Sequence, residues 1–188
     1  RAEQRDMRGL LYAGALRYAH ALAEHDAAIA AWQQMPRRPD LQRRLYESLH
    51  ARAKVHAELG DRPAAIADDH EALRVATELH GADHPALIDL YLDLARQLAS
   101  QGDTTGAKAA AQHASDLLRS RKHGTARSRC DLAALTRDLG DPVAAEVEAR
   151  AAAKLAAPAA PLARLPGYGG CYYPDPGRCA LAPQPGRR

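Results

Sequence analysis

Three times along the chain a helix-like stretch stops at a glycine followed by an aspartate, at Leu59-Gly60-Asp61, Gln101-Gly102-Asp103 and Leu139-Gly140-Asp141. The glycines are 42 and 38 residues apart, with an alanine five residues after each (Ala65, Ala107, Ala145) and another seven before (Ala53, Ala95, Ala133). A fainter copy precedes them: Leu16, Ala28 and Ile29 align with Ala53, Ala65 and Ile66, and its turn falls at Ala23-Glu24-His25-Asp26, without a glycine. Glycine enters the left-handed backbone region that ends a helix without Cβ strain. The aspartate can accept a backbone N–H and cap the next helix, and Pro63 or Pro142 is tolerated in that helix's first turn. Matched alanines let two helices approach closely. A unit built this way cannot bury its own apolar face, so it must stack on its neighbours.

The composition agrees. Hydrophobic residues make up 46% of the 188, yet there is no Phe and one Trp, and three of the seven Tyr fall at the C-terminal end. Alanine and leucine must fill the interior, and both are strong helix formers. Asn is absent and Ile and Lys are scarce while Arg is abundant, which points to a GC-rich, bacterial genome and explains the arginines without a polyanionic partner. Twenty-six basic against twenty-three acidic residues, a net charge of +3, describe a mixed solvated surface; no nucleic acid is expected. Three cysteines are too few for a disulfide framework, and no apolar run approaches the ~18 residues of a membrane helix. The expectation is a cytoplasmic protein. Because the sequence opens with Arg1 inside a helical pattern, it reads as a fragment or processed product.

The pattern predicts helices at roughly 5–23, 26–35, 40–59, 62–80, 85–101, 104–122, 126–139 and 142–157. The fold class is therefore all-α: a solenoid of four antiparallel helix pairs in a right-handed superhelix over residues 1–157. Residues 158–188, rich in Pro and Gly, read as a disordered tail.

The stretch Ala53 to Leu87, with GDRPAAIADDHEAL and then HGADHPAL, resembles the tetratricopeptide repeat family, in its longer-period, kinesin-light-chain-like variety. The resemblance spans about residues 10–155. Asp69 and Ala111 depart from it by standing where the second helix usually carries an aromatic, whereas Trp32 fits in the first pair.

Clusters that could carry chemistry have simpler structural readings. His80 and His84 have metal-ligand spacing, but Gly81 and Pro85 break the helix, so they read as a turn. Asp68, Asp69, His70 and Glu71 point in different directions on a helix and read as a solvated face. Arg119, Arg121, Lys122 and His123 before Gly124 suit a helix C-terminus, with an anion or acidic-partner patch as the alternative. Cys130 reads as a packed small side chain, while Cys171 and Cys179 have no assigned role. No phosphate loop, dinucleotide glycine motif, metalloprotease motif or nucleophile elbow is present. No enzyme activity, catalytic residue, cofactor or metal is expected.

The resemblance implies a protein-interaction scaffold that holds a peptide in a concave groove lined by the first helix of each pair. Carried over by register, the groove residues are Arg17, His20, Glu47, His50, Lys54, Asp89, Leu92, Arg96, Arg127, Cys130 and Arg137. This set leans basic and implies an acidic protein or peptide partner, held by arginines with Leu92 as an apolar contact. Family members that grip a C-terminal carboxylate rely on groove asparagines, which this chain lacks. The alternative is a regulatory segment of a larger bacterial signalling protein, a kinase or transcription regulator.

Overall fold

The computed structural model describes residues 1–120 and 125–156. Among these it contains eight α-helices and no strand: α1 Ala2–Gly14, α2 Tyr18–Gln33, α3 Pro39–Glu58, α4 Arg62–His80, α5 Leu87–Gln101, α6 Thr104–Ser120, α7 Ala126–Asp138 and α8 Pro142–Ala156. Each helix packs on the next in sequence, and α1 also touches α3 while α5 touches α7. First helices therefore lie along one side of a stack of helix pairs. No described helix is long and apolar enough to cross a membrane. The expected tail and the basic stretch Arg121–His123 lie outside the described residues.

The Gly-Asp turns form as their chemistry requires. Gly60, Gly102 and Gly140 have φ of 81°, 94° and 79°. The Oδ1 atoms of Asp61, Asp103 and Asp141 accept hydrogen bonds from the backbone N–H groups of Ala64, Gly106 and Ala144 at 3.2, 2.9 and 2.9 Å. Inside the stack, second-helix alanines supply the close contact at two matched positions. Ala65 and Ala72, Ala107 and Ala114, and Ala145 and Ala152 are all buried. Leu45, Leu49, Leu90 and Leu94 fill the space opposite. Small residues on one helix and leucine on the other close a core that has no phenylalanine.

The first pair departs from the sequence expectation. Its turn falls at residues 15–17, and α2 runs unbroken through Ala23-Glu24-His25-Asp26. Nothing in that tetrapeptide stops a helix, and tertiary contacts fasten it. Arg5 and Arg8 on α1 both reach Glu24, and His25 is buried against α1. The true counterparts of Gly60, Asp61, Ala65 and Ala72 are Leu16, Arg17, Ala21 and Ala28. Leu16 has φ 57°, the one positive value among described non-glycine residues. The four turns share one backbone pattern: the N–H groups of Arg17, Asp61, Asp103 and Asp141 donate to the carbonyls of Tyr12, His56, Leu98 and Thr136 at 2.8–2.9 Å. Trp32 consequently matches Ala76 and Leu118, and the position expected to be aromatic is held by His25, Asp69, Ala111 and Ala149. All four are buried.

Candidate functional site

A groove of about 1320 Å³ runs along the first helices, from Leu10, Ala13 and Leu16 at the end of α1, across α3 and α5, to Thr125, Arg127, Ser128 and Asp131 at the start of α7. Glu47, His50, Lys54, Asp89, Leu92, Arg96 and Arg127 line it, as the register reading placed them. Arg17, His20, Cys130 and Arg137 do not. Arg17 is the cap residue of α2, and His20 lies on α2 with its ring 5.3 Å from that of Tyr12. Both were displaced by the shifted first pair. Arg137 is exposed in the last turn of α7, and Cys130 is half-buried on that helix. Leu92, expected as an apolar contact, is 1% exposed and belongs to the core beneath the groove floor.

The charges of this surface are arranged differently from the sequence expectation. His50, at the middle of α3, lies between two carboxylates: Nδ1 is 3.1 Å from Asp69 Oδ1 on α4, and Nε2 is 3.3 Å from Asp93 Oδ2 on α5. The ring thus bridges an acid of α4 and an acid of α5. Asp93 also meets Lys54 at 3.3 Å and pairs with Arg96. Arg96 reaches on to Asp131 at 3.6 Å, and Arg127 lies 3.9 Å from the same carboxylate. A chain of ion pairs thus joins α3, α4, α5 and α7 beneath the groove.

Asp69 is 1% exposed, and its Oδ2 has no hydrogen-bond partner. Burial raises its pKa above the ordinary value against the opposing pull of His50. The sequence reading of Asp68 and Asp69 as a solvated face is therefore corrected. Asp68 is also buried, held by Arg52 at 2.7 and 2.8 Å, because both residues point inward toward α3. By contrast, His80 and His84 do build the turn after α4. Their rings stack at 4.2 Å, and His84 Nδ1 accepts from the Ala86 N–H at 3.1 Å. Among the described residues no group of three or more His, Cys, Asp or Glu side chains could hold a metal.

The residues missed at the sequence level are three of the groove's acids, Glu58, Asp93 and Asp131. The described lining contains five carboxylates (Glu47, Glu58, Asp89, Asp93, Asp131) and three cations (Lys54, Arg96, Arg127), so the surface does not lean basic. The spacing 89–93–96 puts Asp93 on the face that carries Asp89 and Arg96, a signal available from helical periodicity. Leu10 and Leu16, 53% and 72% exposed, form the apolar end. They were out of reach until the first turn was placed.

A buried polar cluster lies beside that end. Asp6 accepts hydrogen bonds from Trp32 Nε1 at 2.8 Å and Ser48 Oγ at 2.7 Å, and His25 Nδ1 is 3.5 Å away. Burial opposes ionisation of Asp6, but interactions with His25, Ser48 and Trp32 outweigh it and hold the carboxyl below its ordinary value.

Residues 44–120, from α3 to the end of α6, match the tetratricopeptide repeat family model. No curated protein matches the sequence. Among solved structures, BtubC (BKLC) from P. vanneervenii is similar with TM-score 0.71 at 17% identity, over 93% of this chain and 70% of that one. The apo form of RapI is similar with TM-score 0.69 at 10% identity, over 82% of this chain and 55% of that one. The TPR-like repeats of a protein assigned as a kinesin light chain in Podosopora anserina are similar with TM-score 0.66 at 14% identity, covering 81% and 73%. At these identities the likeness concerns the fold.

Proposed function

Since residues 44–120 belong to the tetratricopeptide repeat family, whose repeats generally act as non-catalytic protein-interaction scaffolds, we propose that this protein holds a segment of a partner protein in its groove. The observation that carries this reading is the groove itself. First-helix residues from four successive pairs line one continuous concavity, and its volume exceeds the ~300–1,000 Å³ usual for a small-molecule pocket. The alternative, a regulatory segment within a larger signalling protein, would use the same surface. The acidic partner expected from the sequence would have to draw Lys54, Arg96 and Arg127 away from carboxylates they already meet.

The test compares partner binding by four forms of the chain. Leu16→Glu with Asp89→Lys alters the groove at its α1 end and at α5, whereas Arg74→Glu alters an exposed α4 pair away from it. Binding should be lost in the first variant and kept in the second. Loss on charge reversal at Arg121 and Lys122, with full binding by the groove variant, would place recognition on the basic Arg119–Arg129 stretch and overturn the groove.

A further inference from the structure

We infer that the groove selects a partner segment carrying a lysine or arginine beside an apolar side chain, rather than an acidic segment; this rests on the groove reading above. The argument is charge complementarity. All three lining cations are within reach of carboxylates, and Asp93 alone is shared by Lys54, Arg96 and His50. Glu47 is met by Arg43 and Arg44, but the other acids are not all matched in return. Glu58 and Asp89 line the groove, are exposed, and form no ion pair or hydrogen bond among the described residues. Asp131 has only the long contacts at 3.6 and 3.9 Å. The described lining therefore holds two more acids than bases in a chain whose net charge is +3. An incoming anion would have to displace Asp93 or Asp131 from existing pairs. An incoming ammonium or guanidinium finds unpaired carboxylates at once.

The apolar requirement comes from the other end of the same concavity. Leu10 and Leu16 are more than half exposed, and Ala51 and Val55 of α3 lie on the same lining. A segment along the groove meets aliphatic surface near α1 and carboxylates at the end of α3 and the start of α5. One apolar side chain and one cation, spaced along the segment, satisfy both.

The experiment uses the full chain and three labelled peptides of equal length, read by fluorescence anisotropy at low and at 0.15 M salt. One carries leucine and two arginines, one has the arginines replaced by glutamate, and one has the leucine replaced by serine. The leucine–arginine peptide should bind at least tenfold more tightly than either of the others and weaken as salt rises. The double variant Glu58→Lys with Asp89→Lys should remove that preference while keeping the wild-type melting temperature, since neither residue has a partner to lose. Tighter binding of the glutamate peptide, abolished by Arg96→Glu, would overturn the charge assignment while leaving the groove in place. No binding of the leucine–arginine peptide would also overturn the inference. Binding of that peptide unchanged by every groove substitution would overturn both the inference and the groove reading.

Discussion

In the second helix pair the turn holds Gly60 and Asp61; in the first, the same two places hold Leu16 and Arg17. The second pair sets the half-buried His50 of its first helix against the buried Asp69 of its second, whereas the first pair sets the half-buried Asp6 against the buried His25, the same couple with partners exchanged. Below Ala53 on α3 the equivalent place on α1 is Gly9. A Cβ there would come within 2.6–2.9 Å of the His25 ring. The two pairs thus share a backbone while using different side chains to reach it. The turn geometry is imposed by packing in the first pair and favoured locally in the second. A buried imidazole occupies more space than a carboxylate, so the helix facing it must give up a methyl group. In the third and fourth pairs the same two positions hold Leu92 with Ala111 and Cys130 with Ala149, so an acid faces an imidazole at this level in the first two pairs.

The strongest way to break this comparison is Asp6→Ala. It removes the acceptor of Trp32 Nε1 and one of two acceptors open to Ser48 Oγ, takes the carboxylate from beside His25, and should cost on the order of 3 kcal/mol, seen as a large fall in the urea midpoint. A loss below ~1 kcal/mol would mean that apolar packing alone holds the first pair.

Next in size is Gly9→Ala, expected to destabilise by about 1–3 kcal/mol through overpacking on His25. Adding His25→Ala should recover part of that loss in a double-mutant cycle. Additive effects would show that the two residues do not meet.

The turns give opposite signs. Gly60→Val should cost about 1–2 kcal/mol from left-handed strain, since open space surrounds the site and only the backbone objects. Leu16→Gly should stabilise by about 0.5–1 kcal/mol, the strain relieved being partly offset by glycine's greater freedom in the unfolded chain. A destabilised Leu16→Gly variant would mean that the leucine side chain contributes more in place than its exposure suggests.

The smallest effect is in pH dependence, where Asp6 and Asp69 should differ in sign. Asp6 has a lowered folded pKa, so its stabilisation is present above the ordinary value of 3.8 and fades as pH falls through the lowered one. Asp69 has a raised folded pKa. The folded state holds its proton more tightly than the unfolded chain, so its contribution is lost as pH rises from 3.8 through the raised value. Thermal melts of Asp69→Asn against wild type should shift in favour of the variant as pH rises across that window. Asp6→Asn should lose ground over a lower window, as pH rises from the lowered value to 3.8. Parallel pH profiles would show that the two sites are electrostatically alike.

The register of the helix pairs failed in one place for one reason. The second, third and fourth turns were legible because glycine and a capping aspartate are local requirements of the turn. In the first pair those residues are absent, and the faint alignment settled seven residues too late, on Ala28 instead of Ala21. Both alanines are fully buried, so either fits an alanine-based pattern. That slip moved Arg17 and His20 into the expected groove and kept Leu10 and Leu16 out of it. Glu47, His50, Lys54, Asp89, Arg96 and Arg127 line the concavity because their helices are bounded by turns the residues themselves declare.

By itself the sequence determined the all-helical class, the stacking of helix pairs and the register of the last three, because each depends on interactions within a few residues. Only the tertiary structure decided that the first turn lies at Leu16, since ion pairs from α1 to Glu24 and the burial of His25 hold α2 straight through the segment where the turn was expected. It also decided the sign of the groove. Arg96 meets Asp131 on another helix, and His50 meets Asp69 and Asp93 on two others. Whether an arginine is free to bind a partner depends on the carboxylate brought beside it, and that neighbour is chosen by the packing of helices far apart in sequence.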